Sequence, residues 1–236
     1  MLKIKVVYLD KYSNYKSGTP TERDMSKFSF DIEKQSFDII ESEIGEHHYT
    51  ENEWIVVRRI IHATADFDFA KKCKIIFYKN AIESGFKAFT SKSYIVTDVE
   101  MISHGINKNS LSRLGMSSVC YINDPDCIEN SKKYKKTRSA FAMQKAMDKI
   151  HNGIVVIGNA PTALYEVIDL IKTKNINPFL VIGVPVGFVS AVESKDELSK
   201  LNVPYITNVG RKGGSSAATS IINALMLLYL HYMKSQ

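Results

Sequence analysis

The residue whose type and position are best suited to catalysis is His62, in the last turn of a predicted helix. Thr50 and Glu53 have the spacing of a capping box in front of an apolar run, so this helix should begin there and end just beyond His62. A helix C-terminus stabilises a cation by up to about 2 kcal/mol in a partly buried setting, which favours the imidazolium form of His62. A charged imidazole is suited to general acid catalysis. A capping histidine without chemistry is the alternative that position alone leaves open.

Two acidic segments follow this helix along the chain. Asp66 and Asp68 lie in the turn directly after it, where helix capping, a metal pair and a contact with a charged partner all stay open. Capping is the default, because Asp is common at helix starts. Asp98 ends an apolar segment, 94–97, that is typical of a buried strand. Ligands in open α/β sheets bind beyond the carboxyl ends of the strands, so Asp98 is a candidate binding residue.

Three segments repeat one pattern, an apolar strand followed by a glycine-containing turn and a helix. The strands are expected at 154–157, 179–182 and 205–209. Such units in succession predict a parallel sheet with right-handed crossovers, and their turns then share one edge of the sheet. The small residues expected to line this edge, which we call the glycine rim, are Gly158, Ala160, Gly183, Gly187, Gly213, Gly214 and Ser215.

The same alternation extends toward the N-terminus and predicts the fold class. Further strands are expected at 73–77, 94–97 and 119–122, with helical patterns between them. The prediction is an α/β protein with a three-layer, doubly wound fold and a mostly parallel sheet of five or six strands. A helix is expected from Lys27 to Gly45, because apolar residues recur there at helical spacing.

Length and composition indicate one substantial core. A chain of 236 residues that is 44% hydrophobic and 24% charged is ordinary for a globular protein. Residues 1–26 are predicted to be an N-terminal extension with a short strand at 1–10, and residues 27–236 a single domain. The role of the extension is not legible in the sequence.

Charge and hydropathy bear on partners and location. The net charge is +6, but the basic residues are spread out, and the densest run, Lys132 to Arg138, lacks an aromatic stacking pattern. We therefore expect no nucleic-acid partner. No apolar run reaches the roughly 20 residues of a membrane span, and no signal-peptide block is present. Three cysteines without ligand spacing then point to the cytoplasm.

The sequence lacks the motifs of several common classes of enzyme and binding site. The turn at Gly158 breaks the dinucleotide fingerprint, and the turn at Gly210 lacks the Lys-Ser/Thr ending of a phosphate loop. There is no nucleophile elbow, and no metal-ligand cluster stands in the sequence. A broad slot over the glycine rim, surrounded by cations, suits a bulky polyanionic organic ligand. The cations are Arg59, Arg138, Lys195 and Arg211.

Several separated motifs, in one order, resemble the precorrin-8X methylmutase family, also named cobalt-precorrin-8 methylmutases. The resemblance covers about residues 27–226. It is carried by I-G-N-A-P-T-A-L at 157–164, by G-V-P-V-G-F-V at 183–189 with E-S-K at 193–195, and by G-R-K-G-G-S at 210–215 with N-A-L at 223–225. Shorter matches upstream are S-F-D-I-I at 36–40, R-I-I-H at 59–62, D-F-D at 66–68, D-V-E-M at 98–101 with Gly105, and T-R-S at 137–139.

The resemblance implies a flavodoxin-like fold, a homodimer and an isomerase of cobalamin (vitamin B12) biosynthesis that consumes no cofactor. In this family a methyl group moves from C-11 to C-12 of ring C of the tetrapyrrole, giving hydrogenobyrinate or cobyrinate. The resemblance implies His62 as the catalytic acid. It also implies substrate contacts at Ser36, Arg59, Asp98, Arg138, Asn159, Thr162, Gly187, Lys195, Arg211, Gly213, Gly214 and Ser215. The cations among them are expected to pair with substrate carboxylates.

Two other functions stay open at this point. A protein of the same fold that binds a corrinoid without turnover is the nearer alternative, and a nucleotide-dependent oxidoreductase is disfavoured by the missing fingerprint. Ala65 departs from the family, whose members commonly have glycine there, and this difference predicts an altered turn behind His62. The sequence leaves open whether the substrate carries cobalt.

Overall fold

The computed structural model describes residues 22–235, with side chains from residue 31 onward. Its described residues fall into two compact units, residues 22–43 and 44–235. Helix α1, Glu22–Ile44, accounts for the described residues of the first unit and agrees with the helix expected there. The strand expected at 1–10 lies outside the described residues, and the domain boundary at 26/27 stays a prediction.

A six-stranded sheet forms the centre of the second unit. Its strands are β1 Ile75–Tyr78, β2 Ile95–Thr97, β3 Ser118–Val119, β4 Ile154–Ile157, β5 Leu180–Gly183 and β6 Tyr205–Asn208. The spatial order is β1-β6-β5-β4-β2-β3. All neighbours are parallel except β1, which runs antiparallel to β6 at one edge. The predicted mostly parallel sheet is confirmed, although β3 is shorter than the predicted 119–122.

The five parallel strands have the flavodoxin order. Counted from β2, their spatial order is 2-1-3-4-5, and the order reverses between β2 and β4. In folds of this kind the ligand crevice lies beyond the carboxyl ends of the strands, at the point of reversal. Asp98 follows β2 and Gly158 follows β4, so both residues lie at this point.

Helices cover both faces of the sheet. Four helices pack together on one face: α6 Pro125–Tyr134, α7 Arg138–Lys145, α9 Pro161–Lys174 and α10 Ala191–Ser199. On the other face, helix α11 Ser215–Tyr232 is surrounded by α2 Glu51–Thr64, α3 Ala81–Thr90, α4 Glu100–Gly105 and α5 Lys108–Leu114. A short helix, α8 Met147–Ile150, contacts β2. No helix within residues 22–235 has the length and apolar character required to cross a membrane.

The core explains why the central strands are so apolar. Every residue of β4, β5 and β6 is buried, since helices cover both faces. The β-branched side chains of 154–157 fit this environment, and burial of each contributes about 1.5–3 kcal/mol. Because these strands are fully packed, the turns that follow β4, β5 and β6 begin from fixed positions.

Helix α2 forms as its sequence predicts. The Thr50 hydroxyl accepts the Glu53 N–H, and the Glu53 carboxylate accepts the Thr50 N–H at 2.9 Å, which is the reciprocal capping box. Val57, Ile60 and Ile61 are buried on the face that packs along α11. This packing holds α2 against the helix that begins at the glycine rim.

Candidate active site

His62 lies in the last turn of α2 and is exposed. The helix ends at Thr64, and Ala65 caps it in the left-handed conformation, with φ 53° and its N–H donated to the Ile61 carbonyl at 2.7 Å. The predicted placement of His62 at a helix C-terminus is confirmed. Its role as a general acid stays a prediction.

The turn after His62 is tied to the loop between β6 and α11. The Lys212 ammonium lies 2.7 Å from Asp66 Oδ2 and 2.8 Å from Asp68 Oδ2. The hydrogen bond from Lys212 lowers the pKa of the Asp68 carboxyl. Asp66 also caps the short 3₁₀ helix Phe67–Phe69 by accepting the Asp68 N–H at 3.0 Å. Of the three roles left open for these acids, the structure shows capping together with an ion pair inside the protein.

The three turns of the glycine rim are joined by backbone hydrogen bonds. Val186 N–H donates to the Gly158 carbonyl at 3.3 Å, which links the turns after β5 and β4. Gly187 N–H donates to Arg211 at 3.1 Å, and Gly214 N–H donates to Val184 at 2.9 Å. The turns after β4, β5 and β6 therefore form one continuous surface.

Glycine is required where these turns touch. Gly213 has φ 152°, and a Cβ placed on it would lie 2.1 Å from the Val184 carbonyl oxygen. A Cβ on Gly158 would lie 2.7 Å from the Gly214 oxygen and 2.8 Å from the Ala218 Cβ. Both contacts are closer than real Cβ atoms show, so any larger residue would separate the turns.

Asp98 is inside this arrangement rather than on its surface. The residue is fully buried, and its carboxylate accepts backbone hydrogen bonds from Gly158 at 3.3 Å, Asn159 at 2.9 Å and Ala160 at 2.7 Å. Burial raises the pKa of Asp98 to about 6, although the three N–H donors oppose the rise. The sequence placed Asp98 correctly at the edge of the sheet. These contacts favour positioning of the β4 turn over the direct substrate contact that was predicted.

Lys195 is also turned inward. It is 2% exposed, and its ammonium donates to Asn208 Oδ1 at 3.2 Å and to the Lys212 carbonyl at 2.9 Å. Burial lowers its pKa to about 8. Lys195 was predicted to pair with a substrate carboxylate, and its contacts instead favour support of the loop from 209 to 214.

Exposed polar groups stand on the β4 side of the rim. Asn159 is exposed in the β4 turn, and Arg138 is exposed at the first position of α7. The Thr162 hydroxyl, in the first turn of α9, lies 2.8 Å from that of Thr137 and 3.1 Å from that of Ser139. These hydroxyls join the start of α7 to the start of α9, and Arg138 is thereby brought beside the rim.

The opposite side of the rim carries Arg211 and an apolar tip that sequence reasoning missed. Phe188 and Val189, in the turn after β5, are 86% and 81% exposed. The Arg211 guanidinium lies 5.6 Å from the centroid of the Phe188 ring. The signal was present in the sequence, since apolar residues directly follow the glycine turn at Gly187, but they were interpreted only as part of a motif.

The remaining predicted contacts are dispersed. Arg59 is half-buried on α2, one turn before His62, and Ser215 is half-buried as the first residue of α11. Ser36 belongs to α1, in the first unit, where its hydroxyl donates to the Ile32 carbonyl at 3.0 Å. Back-bonding of this type is common for serine inside helices. A role for Ser36 in binding stays a prediction.

The described residues do not present a metal site. Within residues 22–235, no group of three or more His, Cys, Asp or Glu side chains is arranged to hold a metal ion. The groups that the fold brings to one edge are a helix-terminal imidazole, guanidinium groups, backbone turns and an apolar tip. This set is suited to binding a large anionic ring and to moving a proton.

Comparisons with known proteins agree with this arrangement. A family model described as precorrin-8X methylmutase matches residues 31–228. The cobalt-precorrin-8 methylmutase of Leptospira interrogans is 47% identical over 214 residues, covering 87% of this chain and 96% of that protein. The protein of that name from Priestia megaterium is 46% identical over 197 residues, covering 84% and 87%.

A solved structure extends the agreement to three dimensions. The precorrin-8x methyl mutase from Thermus thermophilus superposes with a TM-score of 0.80 at 37% identity, covering 86% of this chain and 97% of that one. The residues matched by the family model include His62 and the three turns of the rim. The chain therefore belongs to the precorrin-8X methylmutase family.

Proposed function

We propose that this protein is a cobalamin-biosynthesis isomerase that moves a methyl group from C-11 to C-12 of ring C of a precorrin-8 substrate. The observation that carries the proposal is the attachment of the His62 turn to the glycine rim through Lys212. This attachment supports a position of the His62 imidazole near the edge where a flavodoxin-like sheet binds its ligand. Family membership supplies the identity of that ligand.

His62 acts as the acid. Its imidazolium donates a proton to the ring-C nitrogen, and this protonation makes the conjugated system more cation-like. The C-11–methyl bond then breaks as the C-12–methyl bond forms, and the methyl group carries its bonding electron pair. The proton returns to the imidazole, so no cofactor or external reductant is needed. His62 lies in the last turn of α2, at the helix end that continues into the turn held by Lys212.

The rim binds the macrocycle. Arg138 and Arg211 are exposed on opposite sides of it, and guanidinium groups pair well with the acetate and propionate carboxylates of the substrate. The flat ring rests on the backbone of the joined turns, where a side chain in place of Gly213 would intrude. Phe188 and Val189 contribute apolar contact to the ring face.

Turnover is the direct test. Incubation with cobalt-precorrin-8, and separately with metal-free precorrin-8X, should give the absorbance change that accompanies altered conjugation, with the product mass unchanged. We expect the cobalt-loaded substrate to react, because both relatives compared above are named for it. Tight binding of substrate without conversion would establish the corrinoid-binding alternative, which nothing in the comparisons favours.

A matched pair of histidine variants tests the assignment of the acid. His62→Asn should abolish turnover while substrate binding persists. His104→Asn is the control, because His104 is also an exposed histidine in the last turn of a helix, α4, and its polar contacts are with Glu100 of the same helix. A His62→Asn protein that keeps the wild-type rate would refute the mechanism.

Homodimerisation and a cytoplasmic location also belong to the proposal. The family resemblance supports the homodimer, and the three cysteines without ligand spacing support the cytoplasmic location. Equilibrium sedimentation distinguishes the 26.6 kDa chain from a species of twice that mass, and a monomer at working concentrations would contradict the dimer.

A further inference from the structure

We propose that Lys212 is a positioning residue for the methyl shift, because its ammonium fixes the turn after His62 to the loop that carries the predicted substrate contacts. The inference rests on the proposed function and deepens it. It assigns to Lys212, Asp66 and Asp68, which we call the Lys212 clamp, the task of setting the distance between the imidazole and the bound ring.

The first argument is the geometry of the clamp. One ammonium lies within 2.8 Å of two carboxylates, that of Asp66 at the N-cap of the 3₁₀ helix and that of Asp68 within it. Two such bonds from a single atom restrain both the position and the rotation of the turn. The turn follows Ala65, so it continues directly from the helix end that presents His62.

The second argument is that Lys212 is itself anchored at its backbone. Its carbonyl accepts hydrogen bonds from the buried Lys195 ammonium at 2.9 Å and from Asn208 Nδ2 at 2.8 Å. Its neighbour Arg211 accepts the Gly187 N–H. The side chain of Lys212 therefore extends from a fixed loop. Through Asp66 and Asp68 it holds the turn after His62 at a fixed distance from the rim.

The third argument is that stability alone accounts poorly for the clamp. The Lys212 side chain is 43% exposed, and those of Asp66 and Asp68 are 28% and 29% exposed. Ion pairs with this much solvent access add little to folding. The reaction rate depends far more strongly on the placement of a catalytic group, since displacement of that group by about 1 Å lowers the rate roughly 100-fold.

The chain contains a matched control. Lys145 in α7 also bonds two carboxylates two residues apart, Asp124 at 2.6 Å and Asp126 at 2.8 Å. This second clamp joins α6 to α7 at the opposite end of α7 from Arg138. It has the same chemistry, its three side chains are 35%, 33% and 55% exposed, and its ion pairs join the end of α7 to the start of α6.

The experiment compares Lys212→Met, Lys212→Arg and Lys145→Met with the wild-type protein. Lys212→Met should lower kcat by roughly 10- to 100-fold with KM changed by less than about threefold, because the ring still binds but the acid is misplaced. Lys212→Arg should recover a large part of the loss. Lys145→Met should leave kcat and KM near wild type, with a similar small change in melting temperature.

A second variant tests the same ion pairs in case Lys212→Met fails to fold. Asp66→Asn combined with Asp68→Asn should reproduce the kcat loss, and adding Lys212→Met to this pair should cause little further loss, since the partners act as one unit. Wild-type kcat in either the Lys212→Met or the double aspartate variant, or a change confined to KM, would overturn the inference. A wild-type protein that converts neither substrate would instead overturn the proposed function.

Discussion

The Oδ2 atom of Asp98 lies 2.7 Å from the backbone nitrogen of Ala160 and accepts its hydrogen bond. This contact joins the end of β2 to the turn after β4, across the point where the strand order reverses. A buried carboxylate thus shapes the backbone on which the ligand is proposed to rest, and three N–H groups that would otherwise lack partners are satisfied.

Asp98→Asn should remove one pH-dependent component of stability. Burial raises the pKa of Asp98 from 3.8 to about 6, so the native protein holds this proton more tightly than the unfolded chain does. The free energy of unfolding of the wild type should therefore fall as the pH rises from about 4 to about 6, by about 3 kcal/mol from this group, and level off above that range. Urea unfolding across this range measures the difference from the variant. Parallel profiles for the two proteins would contradict the prediction.

Ala65→Gly should stabilise the protein. Ala65 has φ 53° and ψ 31°, a conformation that costs a residue with a Cβ about 1–2 kcal/mol, whereas glycine adopts it freely. After the extra entropy of glycine in the unfolded chain, a net gain of about 1 kcal/mol is expected, or roughly 2–4 °C in melting temperature.

The control for Ala65→Gly is Ala63→Gly, two residues earlier within the helix. The same chemical change there should destabilise by about 1 kcal/mol, since glycine is a poor helix former. Calorimetry of both variants gives the signs directly. Equal shifts of one sign would show that the left-handed conformation is not the cause.

Gly213→Ala should separate the turns of the rim. The new Cβ would lie 2.1 Å from the Val184 carbonyl oxygen, so the loop must move and its hydrogen bond from Gly214 to Val184 should weaken. We expect a loss of more than about 2 kcal/mol in the free energy of unfolding and a large loss of turnover.

Gly210→Ala in the same loop is the matched comparison. Gly210 also has positive φ, 82°, but its new Cβ would meet only the Cys73 sulfur at 3.9 Å. The expected cost is about 1 kcal/mol of conformational strain, with most activity retained. If the two variants behave alike, close contact between the turns is not what demands glycine at Gly213.

Replacing the exposed guanidinium groups of the rim should weaken substrate binding. Arg138→Leu and Arg211→Leu should each raise KM by roughly 10- to 100-fold, in line with the loss of one charge-assisted pair with a carboxylate, and added salt should reduce the difference. Arg113→Leu is the control, because Arg113 is an exposed arginine in the last turn of α5. Unchanged KM in both rim variants would exclude these residues as carboxylate partners.

Much of the fold was predictable from local pattern. The strand at 154–157 was placed without error, and the capping box at Thr50 with the helix end beyond His62 appears as expected. These features depend on residues within about four positions of one another, where side-chain period and cap chemistry decide the conformation. The position of the glycine rim follows from the same local signals together with the rules for parallel sheets.

The sequence by itself determined which residues stand at the edge of the sheet, but only the tertiary structure decided which way they face. Asp98 and Lys195 were predicted as substrate contacts, and both are buried with backbone partners up to 62 residues away. Lys212 was not singled out, since its partner Asp66 lies 146 residues distant. Such pairs arise because the spatial order of the strands brings remote segments together, and that order is a property of the whole sheet rather than of any local pattern.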